Sequence, residues 1–246
     1  MFDAKSFSPM LPQAIWLLAA TITISGGCQF ASQGMNVEGA RLHRQGNYQG
    51  AIQRFMQSIA NDPSNPNGYY NLAATYHRMG KQTGRESDYL QAENFYNQCL
   101  DRAGDHTACY RGLAVLLAET NRSDAAFRLL EGWENRSPTL PDPKIELARL
   151  MEEYSDPSGA REHLIDALAL EPNNPRALTA LGKLREASGD HLQALADYER
   201  SLQVNRFQPE VAMRVAALQS IRGTSTIRSE PGQPRLVREG LMVNHY

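Results

Sequence analysis

A small residue that returns every 34 residues constrains the fold of this chain more than any other feature. The alanines of this series are Ala51, Ala92, Ala126, Ala160 and Ala194, with spacings of 41, 34, 34 and 34. A large side chain follows four residues after each: Phe55, Tyr96, Leu130, Leu164 and Tyr198. Residues four apart share one face of a helix. The period therefore predicts copied helical units that stack, since one unit cannot bury its apolar face alone.

A second small residue recurs upstream of each alanine, 12 residues before it in four copies and 19 in the lengthened second copy. Its members are Gly39, Ala73, Ala114, Ala148 and Gly182. Antiparallel helices pack closely only where one of them lacks a bulky side chain, so the two series predict contact points inside helical hairpins. Asp156-Pro157 and Asn174-Pro175 are typical helix starts. The chain is thus predicted to be helical over most of its length.

These spacings resemble the tetratricopeptide repeat, in which A-x3-F and then Pro complete a helix-turn-helix of 34 residues. The resemblance implies an all-α fold: a right-handed α-solenoid of about five helical hairpins plus a C-terminal capping helix. The expected repeats are residues 32–65, 66–106, 107–140, 141–174 and 175–208, followed by a cap helix at 209–221. Residues 32–221 form the expected repeat domain.

Two segments depart from the repeat. Residues Gly80–Asp88 lengthen the second copy, and we expect an extended loop between its helices, either a tolerated insertion or a contact point for a partner. Residues 222–246 have little periodicity and are expected to be mostly disordered. The alternative for this tail is a short partner-binding segment around the apolar residues of 236–243.

The N-terminus resembles a bacterial lipoprotein signal. Leu11–Ile24 carries no charge and is too short to span a bilayer, and Gly26-Gly27-Cys28 follows it closely. The resemblance implies a signal peptide at 1–27, a Cys28 that becomes the lipidated N-terminus, and a short linker at 28–31. An ordinary cleaved signal or an uncleaved anchor are the alternatives. Gln29 after the cysteine favours an outer-membrane lipoprotein facing the periplasm.

Composition and motifs exclude several classes of function. The 25 basic and 27 acidic side chains give a net charge of -2, which argues against an electrostatic nucleic-acid binder. The six histidines lie at no metal-ligand spacing, and no phosphate loop or nucleophile motif is present. We expect no enzyme, no cofactor, no metal site and no small-molecule substrate. Cys99 and Cys109 are expected either to pair as a disulfide or to be two buried small apolar residues.

In tetratricopeptide proteins the first helices of successive repeats line a concave groove that binds peptides or helices. Placing this sequence on that pattern gives an expected partner-binding groove of His43, Arg44, Tyr70, Asn71, His77, Arg78, Arg111, Glu146, Arg149, Glu152 and Lys183. Its N-terminal part is basic, so we expect a partner segment that is acidic at one end. The chaperone-type carboxylate clamp is disfavoured, because only Asn71 matches its pattern.

The resemblance implies a non-enzymatic scaffold for protein-protein interactions in the bacterial cell envelope, tethered to the membrane by a lipid. Two alternatives stay open. The run Ser201–Leu218, together with the lipobox-like Cys28, resembles the pilotin lipoproteins of type IV pilus assembly, which help a secretin reach the outer membrane. The second alternative is an accessory subunit that supports a cell-wall enzyme.

Overall fold

The computed structural model describes residues 32–227, with side chains described as far as residue 221. Helices and short turns make up this part of the chain, which confirms the all-α prediction. The helices are α1 (32–44), α2 (Tyr48–Asn61), α3 (Pro66–Thr83), α4 (Glu86–Arg102), α5 (Thr107–Glu119), α6 (Ser123–Arg136), α7 (Asp142–Glu153), α8 (Pro157–Leu170), α9 (Pro175–Ala187), α10 (His191–Val204) and α11 (Pro209–Ile227). They fall into two compact units, which within the described residues are 32–137 and 138–227.

Unit 1 holds α1–α6, and its first hairpin shows how the repeated small residues work. Ala51 on α2 is fully buried, and Phe55, one turn later, packs against Gly39 on α1. A Cβ added to Gly39 would lie 2.5 Å from the Phe55 ring, so only glycine permits this approach. Leu72 and Met79 of α3 extend the same cluster into the next hairpin. Asn47, Asn65 and His106 cap α2, α3 and α5 by accepting from backbone N–H groups.

Unit 2 holds α7–α11 and repeats this arrangement. Ala148, Ala160 and Leu164 pack with Leu181 of α9 in one buried cluster. A second cluster joins α10 to α11 through Tyr198, Val211 and Leu218. Asp156, Asn174 and Asp190 cap the starts of α8, α9 and α10.

The expected long loop at Gly80–Asp88 is wrong. The extra residues lengthen the two helices instead, to 18 residues in α3 and 17 in α4, and the connection is only Gly84-Arg85. Gly84 adopts a left-handed conformation with φ of 70°, which ends α3, and its N–H donates to the Gly80 carbonyl. Thr83 Oγ1 donates to Met79 O at 2.9 Å and holds the last turn.

The ends of the chain differ in part from expectation. Helix α11 continues to Ile227, so residues 222–227 are helical rather than disordered. The predicted signal peptide, Cys28 and the apolar residues of 236–243 lie outside the described residues. Within residues 32–227, no helix combines the length and the hydropathy needed to cross a membrane.

Candidate functional site

Unit 1 contains a cavity of about 200 Å³ on the side of α1 and α3. Four of the predicted groove residues, His43, Arg44, Tyr70 and Asn71, line it together with Ala40, Phe55 and Ala74. The Thr75 hydroxyl donates to Asn71 O at 2.7 Å, so it accepts from His43 Nδ1 at 3.0 Å. His43 is therefore held in one orientation, with its Nε2 left as the site of protonation.

The charge at this cavity is positive and uncompensated. Arg44 lines the cavity, and Arg78 lies outside the lining but close enough to act on His43. Both are exposed, and neither forms an ion pair with any residue between 32 and 221. Burial lowers the pKa of His43, and the nearby Arg78 and Arg44 guanidinium groups lower it further. The nearest acidic side chain on the same helix, Glu38, is engaged by Arg41 at 2.6 Å. The surface beside the unit 1 cavity therefore carries positive charge that no described acidic side chain balances.

His77 was expected on the binding surface, but its side chain is buried. Its Nε2 lies 3.0 Å from Glu119 Oε2, and Lys81 Nζ donates to Glu119 Oε1 at 2.5 Å. The Tyr96 hydroxyl lies 3.5 Å from the other ring nitrogen. His77 thus ties α3 to α5 and α4 and has no free nitrogen for a partner. Lys81, which the sequence pattern did not single out, completes this cluster because it lies one turn after His77 on α3.

Unit 2 contains a larger cavity, of about 320 Å³, beside α7 and α9. It brings together the predicted residues Glu146, Arg149, Glu152 and Lys183, and adds Arg176, Thr179 and Gln208. Glu146 was expected in the partner-binding groove, yet its side chain is fully buried. Arg176 pairs with both Glu146 and Asp142, while Arg149 contacts Glu146 at 3.3 Å and Glu153 at 3.4 Å. The charges of this cavity are thus largely paired within the unit.

Two charged groups of the unit 2 cavity stay outside that network. Lys183 forms no ion pair with the described residues, and neither does Glu152. Burial raises the pKa of Glu152, and Lys183 and Arg149 partly oppose that rise. Gln208 closes the cavity from the turn before α11, where its amide donates to Ser201 Oγ at 2.9 Å. Nothing in the 34-residue pattern marks Gln208, because it belongs to a connection and not to a helix face.

Arg111, the remaining predicted groove residue, lies exposed on α5 of unit 1. It does not line the cavity of that unit. The sequence therefore identified two groups of residues that the fold does gather. Arg78 and Arg111 line neither of these two cavities, His77 is buried, and Glu146 lines the unit 2 cavity with its carboxylate already paired.

Cys99 at the end of α4 and Cys109 in the first turn of α5 are joined by a disulfide, with their Cα atoms 6.5 Å apart. His106 lies beside them, and its Nδ1 accepts from the Cys109 backbone N–H at 3.3 Å. One donor atom from each of the three residues falls within 4.8 Å of the others. They are the group within the described residues that could hold a metal ion, and only with the disulfide reduced, because a thiolate is the metal ligand.

Comparison with known sequences gives a consistent picture. Residues 39–80 match the family model described as TPR repeat, and residues 146–210 match the one described as Tetratricopeptide repeat. Among curated proteins, the human protein O-mannosyl-transferase TMTC3 is 24% identical over 147 residues, which cover 56% of this chain and 16% of the relative. Human protein O-mannosyl-transferase TMTC1 is 26% identical over 170 residues, which cover 68% and 18%. The chain thus spans less than a fifth of the length of these relatives.

Solved structures share the fold. A thermophilic TPR protein of Thermus thermophilus, TTC0263, superposes with a TM-score of 0.56 at 22% identity, covering 77% of this chain and 99% of that one. Pseudomonas aeruginosa pilF superposes with a TM-score of 0.50 at 17% identity, covering 84% and 95%. The two matched segments lie in different units, and each unit is built from paired helices with small residues at their contacts. The chain therefore contains tetratricopeptide repeats, matched over residues 39–80 and 146–210, in a fold that it shares with solved TPR proteins.

Proposed function

We propose that this protein is a non-enzymatic scaffold of the bacterial cell envelope that binds a segment of another protein on the first helices of its repeats. The observation that carries the proposal is the unit 1 cavity, where Tyr70 and Asn71 stand beside the Arg44 guanidinium, which no residue between 32 and 221 neutralises. Stacked repeats form such surfaces because each hairpin packs its remaining faces against the neighbouring hairpins.

The absence of catalysis is part of this proposal. The cationic groups of the unit 2 cavity are largely paired with carboxylates, and in unit 1 the buried His77 is engaged with Glu119. A general acid or base must reach a substrate proton. These side chains instead connect one helix to another.

The membrane location rests on the N-terminal sequence. A lipid on Cys28 would tether the repeat domain to the periplasmic face of the outer membrane, since two acyl chains hold a protein far longer than one. The partner would then be another envelope protein, and nucleic acid would not be bound.

The test is site-specific photo-crosslinking with the full-length chain in the cells that make it. A benzoylphenylalanine in place of Tyr70, on the cavity, should capture a discrete partner that mass spectrometry identifies. The matched control replaces Met56, an exposed apolar residue on α2. Equal capture from positions 70 and 56, or none from either, would contradict the proposal.

A narrower proposal is a pilotin-like factor for type IV pilus secretins. It is supported by the resemblance of Ser201–Leu218, which spans the end of α10 and most of α11, and by the lipobox-like Cys28. Deleting the gene should then reduce secretin multimers in the outer membrane. Normal secretin assembly together with a crosslinked cell-wall enzyme would favour the accessory-subunit alternative instead.

A further inference from the structure

We propose that the unit 1 cavity recognises a carboxylate, the side chain of an aspartate or glutamate in the partner segment, through Arg44 and Arg78. The inference rests on the proposed function, because it names the chemistry that the same surface selects. It assigns a ligand class to a cavity whose own residues leave its positive charge unbalanced.

The first step of the argument is the contrast between the two cavities. In unit 2, Arg149 and Arg176 already contact Glu146, a carboxylate with no exposed surface. In unit 1, Arg44 and Arg78 have no such partner among the described residues. Charge-assisted hydrogen bonds from guanidinium groups to carboxylates are stronger than neutral ones. The unpaired arginines can therefore supply to a partner the interaction that the paired ones make internally.

The second step is the size and lining of the cavity. About 200 Å³ is below the usual range of small-molecule pockets but suits one or two side chains. Ala40, Phe55 and Ala74 provide an apolar wall for methylene groups, whereas the polar atoms of Tyr70 and Asn71 stand on α3. An acidic side chain needs both parts, an apolar wall for its stem and cations for its head.

The third step links binding to a proton. Four groups face the His43 ring from three helices: Arg44 on α1, the Tyr48 ring on α2 at 5.4 Å, and Thr75 and Arg78 on α3. A carboxylate beside Arg44 and Arg78 would offset their effect and raise the pKa of His43. Binding should therefore take up a proton and become tighter as the pH falls from about 7.5 towards 5.5, above the usual carboxyl pKa of about 4.3.

The experiment uses the full-length chain in detergent and a blocked hexaglutamate peptide as the probe, with blocked hexaglutamine as the uncharged control. We expect hexaglutamate to bind more tightly at pH 5.5 than at pH 7.5, and to raise the NMR-measured pKa of His43. The double variant Arg44→Glu, Arg78→Glu should weaken binding at least about tenfold, which is about 1.4 kcal/mol. Arg54→Glu, which changes an exposed cation on α2 that neither lines the cavity nor is among the charges that act on His43, should leave binding within about twofold.

The outcomes separate this inference from the function on which it rests. Equal binding of hexaglutamine, an unchanged pKa of His43 on binding, or equal losses from Arg54→Glu and the double variant would each overturn the carboxylate site. If position 70 still crosslinks the same partner in the double variant, the scaffold proposal stands and the carboxylate site is wrong. The variants should give the same far-ultraviolet circular dichroism spectrum as the parent chain, which shows that a loss of binding is not a loss of folding.

Discussion

Gly182 lies directly beneath the ring of Tyr198, and a Cβ at that position would come within 2.7 Å of the ring. The ring is fully buried, and its hydroxyl donates to Glu186 at 2.9 Å, so it has little freedom to retreat. Gly132 on α6 offers the opposite case, because nothing lies within 4 Å of its missing Cβ. Substitutions at these two glycines therefore test helix packing and helix propensity separately.

We predict that Gly182→Val lowers the free energy of unfolding by about 2 kcal/mol, because the added methyl groups overpack the α9 and α10 contact. Gly132→Ala should raise it by about 0.5–1 kcal/mol, because alanine is the better helix former and meets no neighbour. Urea denaturation followed by circular dichroism measures both. If Gly182→Val proves harmless, the close approach of these helices does not depend on glycine.

Three histidines of unit 1 should make stability depend on pH. Burial lowers the pKa of His43, His77 and His106, although Glu119 partly opposes the shift at His77. The unfolded chain therefore binds protons first as the pH falls below about 6.5, and the free energy of unfolding decreases from there downward. Above about pH 6.5 these three histidines no longer reduce the free energy of unfolding.

Urea midpoints measured between pH 7.5 and 5.5 test this dependence. His77→Gln, which keeps a donor to Glu119, should flatten the slope, whereas the same change at the exposed His191 should not. A slope that His77→Gln leaves untouched would assign the pH dependence to other groups.

The lengthened pair α3 and α4 shows what sequence reasoning could and could not establish. The positions of helices followed from the small residues at 34-residue intervals, because they report helix contacts directly. The segment Gly80–Asp88 contains Gly, Ser and charged residues, which normally indicate a loop. In the structure Gly84-Arg85 makes the turn, and the Thr83 hydroxyl at the end of α3 lies 3.3 Å from Asp88 Oδ2 in the first turn of α4. That hydrogen-bonding pattern depends on both helices being present, so periodicity could not reveal it.

The bridge between α7 and α9 should be essential to unit 2. Arg176→Leu removes the nearer of the two arginines that pair with the fully buried Glu146, and we predict a loss of about 3 kcal/mol in the free energy of unfolding. The double variant Glu146→Leu, Arg176→Leu should recover part of this loss, because no buried charge is then left unpaired. The matched surface change is Arg122→Leu, whose partner Glu93 is partly exposed, and it should cost at most about 1 kcal/mol. Equal losses from the two arginine variants would contradict the role of burial.

The disulfide between α4 and α5 should stabilise unit 1. It encloses a segment with a sequence separation of 10, for which loop closure gives about 2–3 kcal/mol. Cys99→Ala, Cys109→Ala should lose that amount, and added reductant should lower the stability of the parent chain but not of the variant. Alkylation before and after reduction, read by mass spectrometry, checks the bond itself. If both cysteines are alkylated before reduction, the disulfide is not formed.

Across the whole chain, the repeats set the fold while ion pairing decides which surface is available. The sequence placed Arg44, Arg149 and Lys183 on equivalent helices, and the structure brings each to a cavity. The sequence could not show that Arg149 forms ion pairs with Glu146 and Glu153 whereas Arg44 forms none with the described residues. That difference arises from residues 30 positions apart, such as Arg176 and Glu146, whose contact forms only when two hairpins stack. Pairing of this kind follows tertiary structure, for which a single sequence carries no periodic signal.

Attachment to the membrane is the last property to test, and it concerns the chain as a unit. If Cys28 carries the lipid, Cys28→Ser should reduce the membrane-bound fraction of the protein, because the acyl chains that hold it on the bilayer are then missing. Metabolic labelling with palmitate should mark the parent chain and not the variant. The control is Cys99→Ser, Cys109→Ser, which removes two cysteines from the repeats and should leave labelling unchanged. A Cys28→Ser variant that stays with the membranes would mean that the segment Leu11–Ile24 remains as an anchor or that a partner holds the protein there.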